Sequence, residues 1–182
     1  MVELMNYPDG EIIRKEIIDG TQEKKTPQQI SSSIGHRTGM WGLDDLISYY
    51  QAIAFETAKA AEIKDKSSCK DPIVYKWVHK QGCCELCIRL YLMDGAGSQP
   101  ILYKLSELER NGSNEGRKHS EWKPTIYPTH KGCNCSLSEY KEGYLWSPAN
   151  QSFSLIDPEY KRQTALTRAL IRVRINGKEH FL

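Results

Sequence analysis

Two short cysteine-bearing stretches, far apart in the chain, restrict what it can fold into more than any other feature. The first is Gly82-Cys83-Cys84-Glu85-Leu86-Cys87, and the second is His130-Lys131-Gly132-Cys133-Asn134-Cys135. A C-x-x-C turn sets two sulfurs on one side of a tight loop, close enough to share one tetrahedral zinc. The second stretch can fill the remaining positions, and Gly82 and Gly132 suit the sharp backbone of such knuckles. Five donors therefore compete for four places. The spacing selects Cys84, Cys87, Cys133 and either His130 or Cys135, because a C-x-C pair binds through both sulfurs only with a tight bite. The donor left over belongs beside the metal, packed against the bound set. Cys69 and Cys83 are expected to be bystanders.

A structural ion fits these donors better than a catalytic one. Catalytic zinc keeps three protein ligands and a water. A zinc deaminase needs H-x-E followed by P-C-x-x-C. His119-Ser120-Glu121 supplies the first half, but Gly132-Cys133-Asn134-Cys135 has neither the proline nor the spacing. A structural ion also answers a physical need. The segment between the knuckles is loop-rich and weakly apolar, so it buries little surface against its ordering entropy. Zinc can contribute about 10 kcal/mol or more of coupled folding energy there.

Composition sets the compartment. The apolar share is 39%, and 25 basic residues stand against 23 acidic ones. Net charge thus gives no reason to expect nucleic acid as a partner, except through a local patch. No stretch approaches the roughly 18 apolar residues of a membrane helix. The opening MVELMNYPDGEIIRK lacks the apolar run of a secretory signal. These features predict a soluble protein made in the cytosol, where cysteines serve as metal ligands or buried thiols before disulfides.

The fold class expected is α+β. One long amphipathic helix packs on a small loop-rich zinc module, flanked by an extended N-terminal arm and a C-terminal strand or hairpin. Residues 1–40 read as arm and linker, with short apolar runs at Val2–Met5 and Glu11–Ile18, the second too short for its period to separate strand from helix, and then a polar stretch. Residues 41–146 read as the helix plus module. In the helix, Trp41 to Lys64, Leu43, Leu46, Ile47, Tyr50, Ile53, Ala54, Ala58 and Ala61 form one stripe. Residues 147–182 read as a tail in which Ile171, Val173 and Ile175 alternate with Arg172 and Arg174. Asn176-Gly177 follows them as a hairpin turn. That strand is expected to pair with a partner subunit.

An ordered set of residues around the knuckles resembles a known family. It runs Val74-Tyr75-Lys76-Trp77, Cys84-x-x-Cys87, Arg89-Leu90-Tyr91, Pro100, Tyr103-Lys104-Leu105-Ser106-Glu107-Leu108, Asn111-Gly112-Ser113-Asn114, Gly116-Arg117-Lys118, Trp122-Lys123-Pro124 and Pro128-Thr129-His130-x-x-Cys133-x-Cys135. This resembles the cysteine-rich module of tailed-phage minor head proteins, the head morphogenesis family of the F-like protein of phage Mu. Lys131 stands where that family often has proline, and Asn134 where it often has arginine; neither change removes a donor. The resemblance covers roughly residues 43–146. It implies a low-copy, non-enzymatic component of a virion, made in the host cytoplasm and placed near the portal. Its partners would be portal, capsid or neck proteins in a symmetric assembly, with possible contact to packaged DNA.

The competing reading is a zinc-dependent nucleic-acid-binding protein or nuclease. His79, His119 and Glu121 would be its nearest acid–base candidates. Arg110, Arg117, Lys118 and Lys123 beside Trp122 would be its phosphate and stacking contacts.

Overall fold

Residues 10–38, expected to lie in an extended arm, form two helices: α1 (Gly10–Gln22) and α2 (Pro27–Thr38). The computed structural model describes residues 7, 9–79, 83–155, 172–175 and 178–181, the last two segments in their backbone alone. The Val2–Met5 run, Gly82, Ile171 and the Asn176-Gly177 turn lie outside the described residues. Helix α2 forms because its ends are well satisfied. Thr26 accepts from the Gln29 N–H at 3.3 Å, and the Gln29 side chain accepts from the Thr26 N–H at 2.8 Å. Pro27 follows at the first helical position, and Gly39 closes the helix in the left-handed conformation at φ 76°. Ile30 and Ile34, one turn apart, then meet Ile13 and Ile17 of α1 in a buried cluster with Leu46, Ile47 and Tyr50. Few apolar residues sufficed, because two helices shared the burial.

The packing of α1 on α2 is tight at one glycine. A Cβ on Gly20 would stand 2.6 Å from Cγ1 and 2.8 Å from Cδ1 of Ile30, and Ile30 is itself buried. Gly20→Ala is therefore expected to destabilise by about 1–3 kcal/mol through overpacking. Helix propensity alone would have it stabilise by about 1 kcal/mol. The urea midpoint of the purified variant decides the sign.

Helix α3 (Asp44–Lys66) is the long helix of the chain, with Asp44 and Asp45 in its first turn where the helix dipole favours them. Two compact units divide within it: Met1–Phe55 with His130–Gly132, and Glu56–Thr129 with Cys133–Leu182. The stripe holds through Leu46, Ile47 and Tyr50, all buried. Beyond that it departs from the expected course. Ala54, Ala58 and Ala61 are exposed, and the buried positions are Glu56, Ala60 and Ile63. These continue the three- and four-residue steps from Ile53, with a carboxylate where an apolar residue would ordinarily stand.

The second unit is built on a three-stranded antiparallel sheet in the order β2-β1-β3, from β1 (Ile73–Trp77), β2 (Tyr103–Lys104) and β3 (Ser136–Glu139). Alternation along β1 turns Val74 and Lys76 inward. Two short helices, α4 (Glu85–Tyr91) and α5 (Leu105–Asn111), complete the core. Val74, Tyr91, Tyr103, Leu105, Leu108, Ile126 and Leu137 fill that core together with Cys87 and Cys135. Strands β4 (Tyr144–Ser147) and β5 (Ser152–Leu155) form a ribbon, and β6 (Arg172–Ile175) pairs antiparallel with β7 (Lys178–Phe181). Two antiparallel strands thus stand where a C-terminal strand or hairpin was expected. The architecture is mixed α+β with small antiparallel sheets, and no described helix is long and apolar enough to cross a membrane.

The segment between the knuckles, expected to bury little, supplies Leu90, Tyr91, Tyr103, Leu105 and Leu108 to the core, and polar side chains order the loop that follows α5. Asn114, 2% exposed, donates to the Lys123 carbonyl at 2.9 Å and accepts from the Lys123 N–H at 3.0 Å. Arg117 donates to the Asn111 carbonyl at 2.8 Å, Trp122 Nε1 to the Arg117 carbonyl at 3.0 Å, and Asn111 to the Pro124 carbonyl at 2.7 Å. Each pairs a backbone group of this segment with a side chain. Arg117 and Trp122, expected to serve nucleic acid if that reading held, are engaged in holding this loop.

Candidate metal centre

Cys84 is the residue that begins α4. Its extended backbone (φ −86°, ψ 157°) leaves its sulfur to accept the Cys87 N–H at 3.3 Å. That contact folds the C-x-x-C into a knuckle and brings the Cys84 and Cys87 sulfurs within 4.8 Å of each other. One turn of helix then carries Cys87 into the core, where it is 1% exposed.

The second knuckle turns at Gly132, whose φ of 75° only glycine adopts without strain. The turn delivers Cys133 and Cys135 just before β3, which is fixed against β1 by the register Trp77↔Ser136 and Lys76↔Leu137. Cys87, Cys133 and Cys135 consequently have their sulfurs within 4.8 Å of one another. Cys87 Sγ and Cys133 Sγ are 3.7 Å apart. Zinc–sulfur bonds of about 2.3 Å at tetrahedral angles require a sulfur–sulfur edge of about 3.8 Å. The spacing matches that edge, and none of the six cysteines is disulfide-bonded.

The electrostatics of the trio also ask for a cation. Thiol hydrogen bonds from Cys135 and Cys87 hold Cys133 far below the ordinary thiol range, and backbone hydrogen bonds from Cys135 and Thr129 add to this. The charge that settles on Cys133 is resisted by its neighbours. Hydrogen bonding to Cys133 raises Cys87 strongly, with burial adding to it, and pushes Cys135 up to about 12. Cys87 and Cys135 are thus disposed to hold their protons. Metal binding has to displace them. Binding is therefore expected to release protons, so affinity falls as the pH is lowered. Calorimetry in buffers of different ionisation enthalpy counts them, and a heat independent of buffer would contradict the assignment.

The remaining candidates are placed as follows. Of the two donors that the sequence could not choose between, Cys135 is buried within the sulfur cluster. His130 is half-buried, with Nδ1 2.7 Å from the Lys131 carbonyl oxygen. Cys69 is exposed, and Cys83 packs against the core without joining either group of donors. His79 stacks on Trp77 with ring centres 4.1 Å apart, and His119 meets Trp122 edge-on at 4.5 Å.

Sequence reasoning missed a buried ion pair next to this cluster. Lys76 (0% exposed) donates from Nζ to Glu56 Oε2 at 2.8 Å. Burial pushes the Lys76 ammonium below its ordinary value, against the opposing pull of Glu56 and of the Cys133 and Cys135 sulfurs. Comparison with protein-family models, with curated proteins and with solved structures finds no match.

Proposed function

We propose that this chain is a structural component of a tailed-phage virion, in which a structural zinc rigidifies a protein-interaction module. The observation that carries the metal half is the convergence of Cys87, Cys133 and Cys135 from two knuckles onto one sulfur cluster with a zinc-like edge. Cys84 supplies the fourth ligand. His130, three residues before Cys133 in the chain, is the competing donor, and the cobalt(II) spectrum separates four sulfurs from three. Four protein ligands close the coordination shell to water, as in structural rather than catalytic sites. The ion would hold the two knuckles together and lend the loop-rich segment its coupled folding energy.

The virion half is supported by the ordered residue set from Val74 to Cys135, which resembles the minor head module. A protein placed near a portal must present a rigid surface to a symmetric ring, and a metal-pinned module meets that demand. Its partners would be the portal and the neighbouring capsid or neck proteins. Coexpression with tailed-phage portal and capsid proteins, followed by gradient sedimentation, tests this directly. The chain should travel with particles at a fixed low ratio. If it stays at the top of the gradient whatever the combination, the virion assignment is wrong even where the metal assignment is right.

A further inference from the structure

The Glu56–Lys76 pair lies where a structural pair has no obvious reason to be. A helix carboxylate and a strand lysine, 4% and 0% exposed, carry a desolvation cost that an apolar pair of similar volume would avoid. What the pair touches suggests a use. Glu56 Oε2 accepts both the Lys76 ammonium and the Leu137 N–H, each at 2.8 Å. Lys76 Nζ also donates to the Ile126 carbonyl. Leu137 follows Cys135 by two residues, and Ile126 precedes Cys133 by seven. One ion pair therefore grips the chain on both flanks of the second knuckle. Leu137 sits on β3, an edge strand in the order β2-β1-β3, and it faces Lys76 across the β1–β3 register. With the Leu137 N–H bound to α3, the strand that begins at Ser136 is held from the helix side as well as from the sheet.

We propose that Glu56 and Lys76 are positioning residues of the metal centre, clamping the Cys133–Cys135 knuckle so that its sulfurs face Cys87. The inference rests on the metal reading given above and extends it to two residues that are not ligands. Groups that orient ligands from outside the coordination shell typically change metal affinity by about 10- to 100-fold when altered. A pair that merely filled the core would lower stability equally with and without metal. A clamp instead makes the metal worth less to the variant.

The test uses the full chain and its Glu56→Gln variant, which keeps size and an acceptor for Leu137 but removes the charge that holds Lys76. Cobalt(II) binding is followed by its thiolate charge-transfer absorption, in competition with a chelator. Thermal unfolding is measured with and without zinc. Glu56→Gln should bind cobalt through thiolates about 10- to 100-fold more weakly, and the rise in unfolding midpoint that zinc gives the wild type should shrink. Unchanged affinity together with an unchanged zinc-induced rise would overturn the clamp. If Glu56→Gln does not fold, Glu56→Asp is read the same way, since it retains the charge and draws it back by one methylene. Wild-type affinity in Glu56→Asp would overturn the clamp equally. A wild-type chain that binds no cobalt would sink the metal reading itself, a failure distinct from either of these.

Discussion

Treatment with a strong chelator at neutral pH is expected to unfold the second unit, 56–129 with 133–182, while α1 and α2 keep their helical signal. The reasoning is energetic. The segment from α4 to β3 is ordered by side-chain–backbone hydrogen bonds such as Asn114 to Lys123 and Arg117 to Asn111, each worth about 1 kcal/mol net. Backbone ordering costs about 1–2 kcal/mol per residue. The apolar core around Tyr91, Leu105 and Leu137 offsets much of this. A structural zinc adds on the order of 10 kcal/mol, which is comparable to the whole stability of a typical domain. The first unit draws on its own core of Ile13, Ile17, Ile30, Ile34 and Ile47 and holds no sulfur of the Cys87–Cys133–Cys135 trio. Far-UV circular dichroism with near-UV tyrosine and tryptophan signals should therefore show partial loss. Restoring zinc under reducing conditions should reverse it. A chain whose spectra do not respond to the chelator would show that the sulfurs pack without an ion.

The second large effect is expected from Lys76→Ala. It leaves the Glu56 carboxylate buried without its cation and the Ile126 carbonyl without its donor. Breaking a buried pair from one side typically costs about 3–5 kcal/mol, enough to depress the unfolding midpoint severely. Replacing both partners, as in Glu56→Gln with Lys76→Met, removes the orphaned charge and should recover much of that loss in urea unfolding. Equal destabilisation by the single and the double change would mean that the pair is held for its hydrogen bonds rather than its charge.

These two predictions rest on features that were unequally visible in the sequence. The cysteine knuckles announced themselves, because few other arrangements explain a C-x-x-C and a His-x-x-Cys-x-Cys in one chain. The first half of the 23-residue helix was legible from its period through Tyr50, whereas the face buried beyond Ile53 was not. The strand at Arg172–Ile175 was legible from its alternation. Helix α2 was passed over because only Ile30 and Ile34 mark its buried face within a polar run. Its sign was instead at its ends, in Thr26-Pro27-Gln28-Gln29 and Gly39. Glu56 was hidden for a different reason. It continues the stripe from Ile53 toward Ala60 and Ile63, but a charged residue is discounted when a core face is counted. Lys76 alternates with Val74 in β1, on the face that turns into the core. Each is intelligible only through the other, 20 residues away in the chain, and such pairing is a property of the tertiary fold. The burial of Cys135 likewise needed the placement of β3, which begins at the next residue.

Everything said of the centre depends on thiolates from separate loops sharing one cation, and native mass spectrometry of the reduced, purified chain reads that most directly. The account predicts a mass one zinc ion above that of the polypeptide, reverting to the bare chain after chelation. A bare chain from the outset would contradict it, as would a mass two hydrogens lighter that marks a disulfide between these sulfurs.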